Sequence, residues 1–117
     1  AGTALGRQNL AFSNSGSGIY SDSGSNLIER NVARNNANGF NNSSGSVFQD
    51  NVAYANTTAG FNLWNAEIYR NKSYSNSIGI FDRGFSNLVN NVVYANTNAG
   101  LRVEATHTAG TDRILHN

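Results

Sequence analysis

The sequence predicts an all-β chain wound as a single-stranded parallel β-helix, a β-solenoid of about five rungs with roughly 20 residues in each. Three observations predict it. First, Asn51-Val52-Ala53-Tyr54-Ala55-Asn56, Asn71-Lys72-Ser73-Tyr74-Ser75-Asn76 and Asn91-Val92-Val93-Tyr94-Ala95-Asn96 are near copies. Second, each is soon followed by Gly and a large apolar residue: Gly60-Phe61, Gly79-Ile80 and Gly100-Leu101. Looser copies run from Asn9 to Ile19 and from Asn31 to Phe40. Third, the runs between these marks are short and alternate like strands, and helical spacing is sustained nowhere.

The elements follow from one register. Its zero is Asn9, Asn31, Asn51, Asn71, Asn91 and Asn117, at spacings of 22, 20, 20, 20 and 26. Three residues earlier, Ile28, Phe48, Ile68, Leu88 and Ile114 form an apolar column that should point inward. Two residues after zero, Ala11, Ala33, Ala53, Ser73 and Val93 are small enough for a narrow interior. Five residues after zero comes a second column, Asn14, Asn36, Asn56, Asn76 and Asn96. Gly18, Gly39, Gly60, Gly79 and Gly100 then precede Ile19, Phe40, Phe61, Ile80 and Leu101. Three strands per rung result, with bends expected at the two Asn columns and near the Gly, and rungs about 4.8 Å apart. The Asn columns are expected to take the left-handed bend themselves and to bond from rung to rung. The Gly is expected to serve a positive φ or a close backbone approach. Asn31, Asn51, Asn71, Asn91, Asn36, Asn56, Asn76 and Asn96 are therefore read as structural ladders, not as a site. Residues 1–117 form one domain, with an irregular insertion at 104–112.

Composition narrows the function classes. The chain has 117 residues, a formal net charge of +1, no Cys, no Pro and 21 Asn. It lacks the basic excess of a nucleic-acid binder. No apolar run approaches the roughly 18 residues of a membrane span. Without Cys there is neither a disulfide framework nor a thiolate metal site. A leucine-rich repeat would need more Leu and one Asn per unit. A calcium-binding nonapeptide roll would need tandem copies of what Gly110-Thr111-Asp112-Arg113-Ile114 offers once.

These rungs resemble the right-handed parallel β-helix repeat of the pectin-lyase-like superfamily over about Leu5 to Val103. The stretch from Ser46 to Asn56, followed by Gly60-Phe61-Asn62, is most similar to the catalytic modules of secreted mannuronan C5-epimerases. The resemblance, together with the crossover rule, implies a right-handed coil. It also implies an extracellular or cell-surface setting and an association with uronic-acid polymers. The catalytic signature does not carry over. That family's site resembles a Tyr-Asp-Pro-His-Glu run plus an Asp before a Gly-Phe pair. This chain has no Pro, and Asn38 stands before Gly39-Phe40. Lyases of the same fold use calcium on clustered Asp with a Lys or Arg base. Asp22, Asp50, Asp82 and Asp112 fall in different columns, and Lys72 is the only Lys. No catalytic residue, metal ligand or cofactor is assigned; calcium is implied only if the parent is an epimerase or lyase.

The column three after zero should face outward: Phe12, Arg34, Tyr54, Tyr74 and Tyr94. Leu10, Val32, Val52, Lys72 and Val92 should share that face. Contiguous exposed apolar surface marks a contact. One reading is mutual stacking or cover by neighbouring structure. The other is a platform where Tyr ring faces meet sugar rings and Arg34 or Lys72 meets carboxylates. Trp64 is expected as buried support at a corner, with Asp82-Arg83 in the matching place as a solvated pair; the alternative makes Trp64 a ligand contact and Asp82 a group that orients a carboxylate or hydroxyl, so both join Arg34, Tyr54, Tyr74, Tyr94 and Lys72 as candidate substrate-binding residues. His107 and His116 lie in the tail without an Asp or Ser partner, and Glu29, Glu67 and Glu104 occupy different columns, against a paired-carboxylate geometry.

Two function classes follow. The first is a non-catalytic scaffold segment of an extracellular polysaccharide-associated protein, with glycan contact along the Tyr strip. The second is a fragment of an alginate epimerase or polysaccharide lyase. A third, ligand-free reading is a self-assembling stack. The restart at Arg113-Ile114-Leu115 suggests further rungs or end-to-end association. No nucleic-acid or membrane partner is expected.

Overall fold

The computed structural model describes residues 4–22, 24–104 and 113–115. The inferred insertion beyond Glu104, both His residues, Asp112 and Asn117 lie outside them. The first rung comprises β1 (Leu5–Arg7), β2 (Leu10–Phe12) and β3 (Ser17–Ser21). The second has β4 (Leu27–Glu29), β5 (Val32–Arg34) and β6 (Asn38–Asn42). The third has β7 (Val47–Gln49), β8 (Val52–Tyr54) and β9 (Ala59–Leu63). The fourth has β10 (Glu67–Tyr69), β11 (Lys72–Tyr74) and β12 (Ile78–Asp82). The fifth has β13 (Asn87–Val89), β14 (Val92–Tyr94) and β15 (Ala99–Val103), and β16 (Arg113–Leu115) follows.

Every pairing is parallel, and like strands stack in three sheets. Sheet 1 runs β1-β4-β7-β10-β13-β16, sheet 2 runs β2-β5-β8-β11-β14 and sheet 3 runs β3-β6-β9-β12-β15. The register aligns Ala33, Ala53, Ser73 and Val93 in one column. It aligns Ile28, Phe48, Ile68, Leu88 and Ile114 in another. The chain is thus a parallel β-solenoid of about five turns, each about 20 residues from the next.

The core is the thin column these positions enclose. Phe40, Phe48, Phe61, Leu63, Ile68, Ile80 and Leu88 are fully buried. Phe40 and Phe61 stack at 4.7 Å with planes 8° apart. Gly6 stands in the inward column of the first rung, where later rungs place Ile, Phe or Leu.

The Asn columns are ladders. Asn51 donates its backbone N–H (2.9 Å) and its Nδ2 (3.0 Å) to Asn71 Oδ1. The same Nδ2 also donates to the Ile28 carbonyl at 2.8 Å. Asn71 repeats the pattern with Asn91 and Phe48. In the second ladder Asn56 donates to Asn76 Oδ1 and to the Ala33 carbonyl. Each side chain satisfies backbone groups that a buried corner would otherwise strand, at about 1–3 kcal/mol apiece.

The left-handed bend is not on the ladder Asn. It falls one residue earlier, on Gln8, Arg30, Asp50, Arg70 and Asn90 at the first corner, with φ between 52° and 57°. At the second corner it falls on Ser13, Asn35, Ala55, Ser75 and Ala95. Turning the residue before the Asn leaves the amide aimed along the coil axis, where the next rung waits. The repeated Gly serves close approach alone, because none of Gly18, Gly39, Gly60, Gly79 and Gly100 has positive φ. A Cβ on Gly60 would lie 2.1 Å from Ser73 Oγ and 2.7 Å from the Gly79 carbonyl oxygen.

Candidate functional site

The outer face of sheet 2 presents the aromatic strip. A strand residue alternates sides, so when Ala33, Ala53 and Ser73 point inward their neighbours point out. The register then stacks Phe12, Arg34, Tyr54, Tyr74 and Tyr94. Tyr54 and Tyr74 rings lie 5.1 Å apart with planes 5° from parallel, and Tyr74 and Tyr94 lie 5.1 Å apart at 6°. Arg34 continues the ladder with its guanidinium carbon 4.9 Å from the Phe12 ring centre. Lys72 Nζ stands 5.3 Å from the Tyr74 ring and 5.5 Å from the Tyr94 ring.

This geometry settles which part of each ring is available. The faces of Tyr74 are covered on both sides, by Tyr54 and Tyr94. The Tyr74 faces therefore cannot lie against sugar rings while the ladder stands, and Tyr54 and Tyr94 each give one face to Tyr74. What remains is a row of ring edges with the cations of Lys72 and Arg34 at the same surface. Val52 and Tyr54 in the middle rungs are only half-exposed, whereas Leu10, Phe12, Val92 and Tyr94 at either extreme are open, Tyr94 at 44%.

Two other residues sit differently from their sequence expectation. Trp64 is not buried support; it is 37% exposed just beyond β9. Its backbone is held by Asn42, which accepts from the Trp64 N–H at 2.8 Å and donates to its carbonyl at 3.0 Å. Asp82 is not half of a solvated pair. It aligns with Leu63, points inward and is fully buried, with Oδ1 accepting from the Gly84 N–H. Arg83 is the residue at the Trp64 position, and its Nη2 reaches back two rungs to the Asn42 carbonyl at 2.8 Å. An inward strand position decides this, because period-two alternation places Asp82 with Ile80 and not with Phe81. Asp82 therefore leaves the candidate surface, while Trp64 joins the exposed side of sheet 3 with Tyr20, 57% exposed, and Phe81, which carries Arg102 at 4.9 Å from its ring centre.

Sheet 1 carries a polar network. Arg7 pairs with Glu29, which accepts from Gln49 Nε2 at 2.8 Å. Arg70 grips Asp50 through Nε and Nη2 and also reaches Gln49. Tyr69 donates its hydroxyl to Glu67, which also accepts from Asn87. The Gln49 hydrogen bond, then Arg7, hold the Glu29 carboxyl below its ordinary range against the opposing effect of burial. Arg70 does the same for Asp50, first by hydrogen bond and then by charge. The signal for part of this network was legible in the column before the first Asn, where Arg30, Asp50 and Arg70 alternate in sign.

The described Asp residues are not gathered as a calcium site would need. Asp50 is committed to Arg70, Asp82 faces the interior, and Asp22, just after β3 and at a different corner from Asp50, accepts from Ser43. Among the described residues, no group of three or more His, Cys, Asp or Glu could hold a metal ion, and no helix is long and apolar enough to cross a membrane. Glu29 and Glu67 occupy different columns of sheet 1. No protein-family model, no curated protein and no solved structure matches this chain.

Proposed function

We propose that this chain is a non-catalytic β-solenoid segment of an extracellular polysaccharide-associated protein. It acts as a scaffold, and it meets its glycan along the outer face of sheet 2. The observation that carries the reading is the in-register row Tyr54, Tyr74 and Tyr94 at 5.1 Å spacing, with Lys72 among the rings. The resemblance of the rungs to pectin-lyase-like proteins supports a uronic-acid polymer as the glycan. Because the rings stack on each other, the contact is edge-on: phenolic hydroxyls bond sugar hydroxyls, and Lys72 and Arg34 meet carboxylates.

Affinity electrophoresis through alginate, pectate and a neutral glycan tests this. Wild-type chain should be retarded by an acidic polymer. A Tyr54→Phe/Tyr74→Phe/Tyr94→Phe variant keeps the stack and loses only the hydroxyls. It should bind about tenfold or more weakly, given about 0.5–1.5 kcal/mol for each hydrogen bond. Equal retardation of wild type and variant, or no retardation of wild type, sinks the proposal.

A further inference from the structure

The ladders have a consequence for how the chain can mature. Four Asn-x-Ser/Thr triplets occur: Asn41-Asn42-Ser43, Asn42-Ser43-Ser44, Asn56-Thr57-Thr58 and Asn71-Lys72-Ser73. Such a triplet is the acceptor of an N-linked glycan wherever an unfolded chain meets an oligosaccharyltransferase. In most proteins the acceptor lies on a surface loop. In this coil three of the four acceptors are interior. Asn42, Asn56 and Asn71 are no more than 2% exposed.

Their amide nitrogens are already committed. Asn71 Nδ2 gives one proton to the Phe48 carbonyl at 2.8 Å and the other to Asn91 Oδ1 at 3.1 Å. Asn56 Nδ2 divides its protons between the Ala33 carbonyl at 3.2 Å and Asn76 Oδ1 at 2.9 Å. Asn42 Nδ2 donates to the Trp64 carbonyl. Glycan transfer from a lipid-linked oligosaccharide pyrophosphate forms a bond between Nδ2 and the anomeric carbon. It breaks the anomeric carbon–oxygen bond, releases one amide proton and expels the lipid pyrophosphate with the bonding electron pair. The product keeps one N–H where Asn56 and Asn71 each need two. It also places a sugar ring in an interior that, beside the next rung's Asn76, has no room for the Cβ of Gly60. Asn41, on the outer face of β6 with Nδ2 on Ser17 Oγ, is the acceptor that the interior does not forbid.

We infer that N-glycosylation at Asn56 or Asn71 and formation of this coil exclude one another. The solenoid therefore matures along a route on which the unfolded chain does not meet an oligosaccharyltransferase. The inference is independent of what the outer faces bind.

The test sends the chain, behind a cleavable secretion signal, through N-glycosylating eukaryotic cells. Three arms are compared: wild type, Ser44→Ala/Thr58→Ala/Ser73→Ala, and wild type with lipid-linked donor synthesis blocked. The variant deletes all three interior triplets and keeps every ladder Asn, though it loses the Ser73 hydroxyl that donates to the Gly79 carbonyl and accepts from Asn76 Nδ2. Thr58 is exposed, and Ala33 and Ala53 already fill the Ser73 column. Wild type should carry glycan on Asn56 and Asn71, be protease-sensitive and fail to be secreted. The variant and the donor-blocked wild type should both be secreted and protease-resistant. Secreted, protease-resistant wild type with glycan on Asn56 or Asn71 overturns the inference. Unmodified wild type secreted as well as the variant leaves the exclusion standing and overturns the inferred route, because the coil would then form ahead of the transferase. Bacterial cytoplasmic preparations of both chains should each unfold in a single urea transition, the variant at the lower midpoint because it lacks the Ser73 and Ser44 hydroxyl bonds, so better secretion of the variant than of wild type reports the glycan and not a gain in stability.

Discussion

The first two corners of each rung and the third corner solve the same problem by opposite means. At the first two, one residue takes the left-handed bend and the next is always Asn, from Asn31 and Asn36 up to Asn91 and Asn96. The third corner changes its answer from rung to rung. Gly24, Gly45, Asn65, Gly84 and Phe85 take the positive φ. Backbone groups there are met by Ser46, which donates to the Gly24 carbonyl and pairs with the Ser21 hydroxyl at 2.7 Å, by Asn42 on Trp64, by Ser86 on Ala66 and by Asp82 on Gly84. A repeated amide gives each corner a partner identical to itself, so the solution propagates. The third corner has only local solutions, so it tolerates varied loops and carries side chains such as Trp64 and Arg83.

That contrast can be broken most sharply at Asn71. Asn71→Ala removes four ladder hydrogen bonds and strands the Asn51 N–H and the Phe48 carbonyl. It should lower unfolding free energy by about 3–5 kcal/mol, read from the urea midpoint at constant slope. Ser21→Ala at the third corner should cost only about 1 kcal/mol, since Ser46 Oγ keeps the Gly24 carbonyl. Similar costs for the two variants would erase the distinction between the corners.

The bend residues sharpen the comparison in the other direction. Ala55 sits at φ 54° in a column where Asn35 already serves. Ala55→Asn should raise stability by about 0.5–1 kcal/mol, because Asn enters the left-handed region more easily than Ala. A loss measured in the same urea assay would mean that the bend is set by packing and not by backbone preference.

The smallest effect is expected outside the corners' interior, on sheet 1. Glu29 and Asp50 have depressed native pKa values, so the unfolded chain takes up protons first as pH falls. Their stabilisation is whole above the ordinary carboxylate pKa of about 4 and is lost as pH drops through the lower native values. Glu29→Gln should flatten the acid limb of a stability–pH curve and leave its shape at neutral pH unchanged. An acid limb identical to that of wild type would remove Glu29 from the account.

The legibility of the molecule follows the same division. Asn51, Asn71 and Asn91 stand out in the sequence because an identical partner one rung away must be met at identical spacing. The Gly before Phe61 or Ile80 is equally visible, because any Cβ there strikes the neighbouring rung. The orientations of Asp82 and Trp64 are not legible, because the third corner has no fixed length signal. With no column to align them, spacing matches the pair Asp82-Arg83 to Trp64, and only Arg83 belongs there, since Asp82 aligns with Leu63. The outer strip was legible as a column but not as a surface. That Tyr54, Tyr74 and Tyr94 occupy each other's faces depends on rotamers that no spacing encodes.

The sequence by itself determined the coil: its period, its three strands per rung, its inward columns and its amide ladders. These arise from interactions between equivalent positions, which repeat in the chain as they repeat in space. Only the tertiary structure decided where the left-handed residues fall, which way Asp82 and Trp64 point, and how much of each aromatic ring stays open. Those outcomes depend on contacts between unlike residues of different rungs, and such contacts leave no periodic trace along the chain.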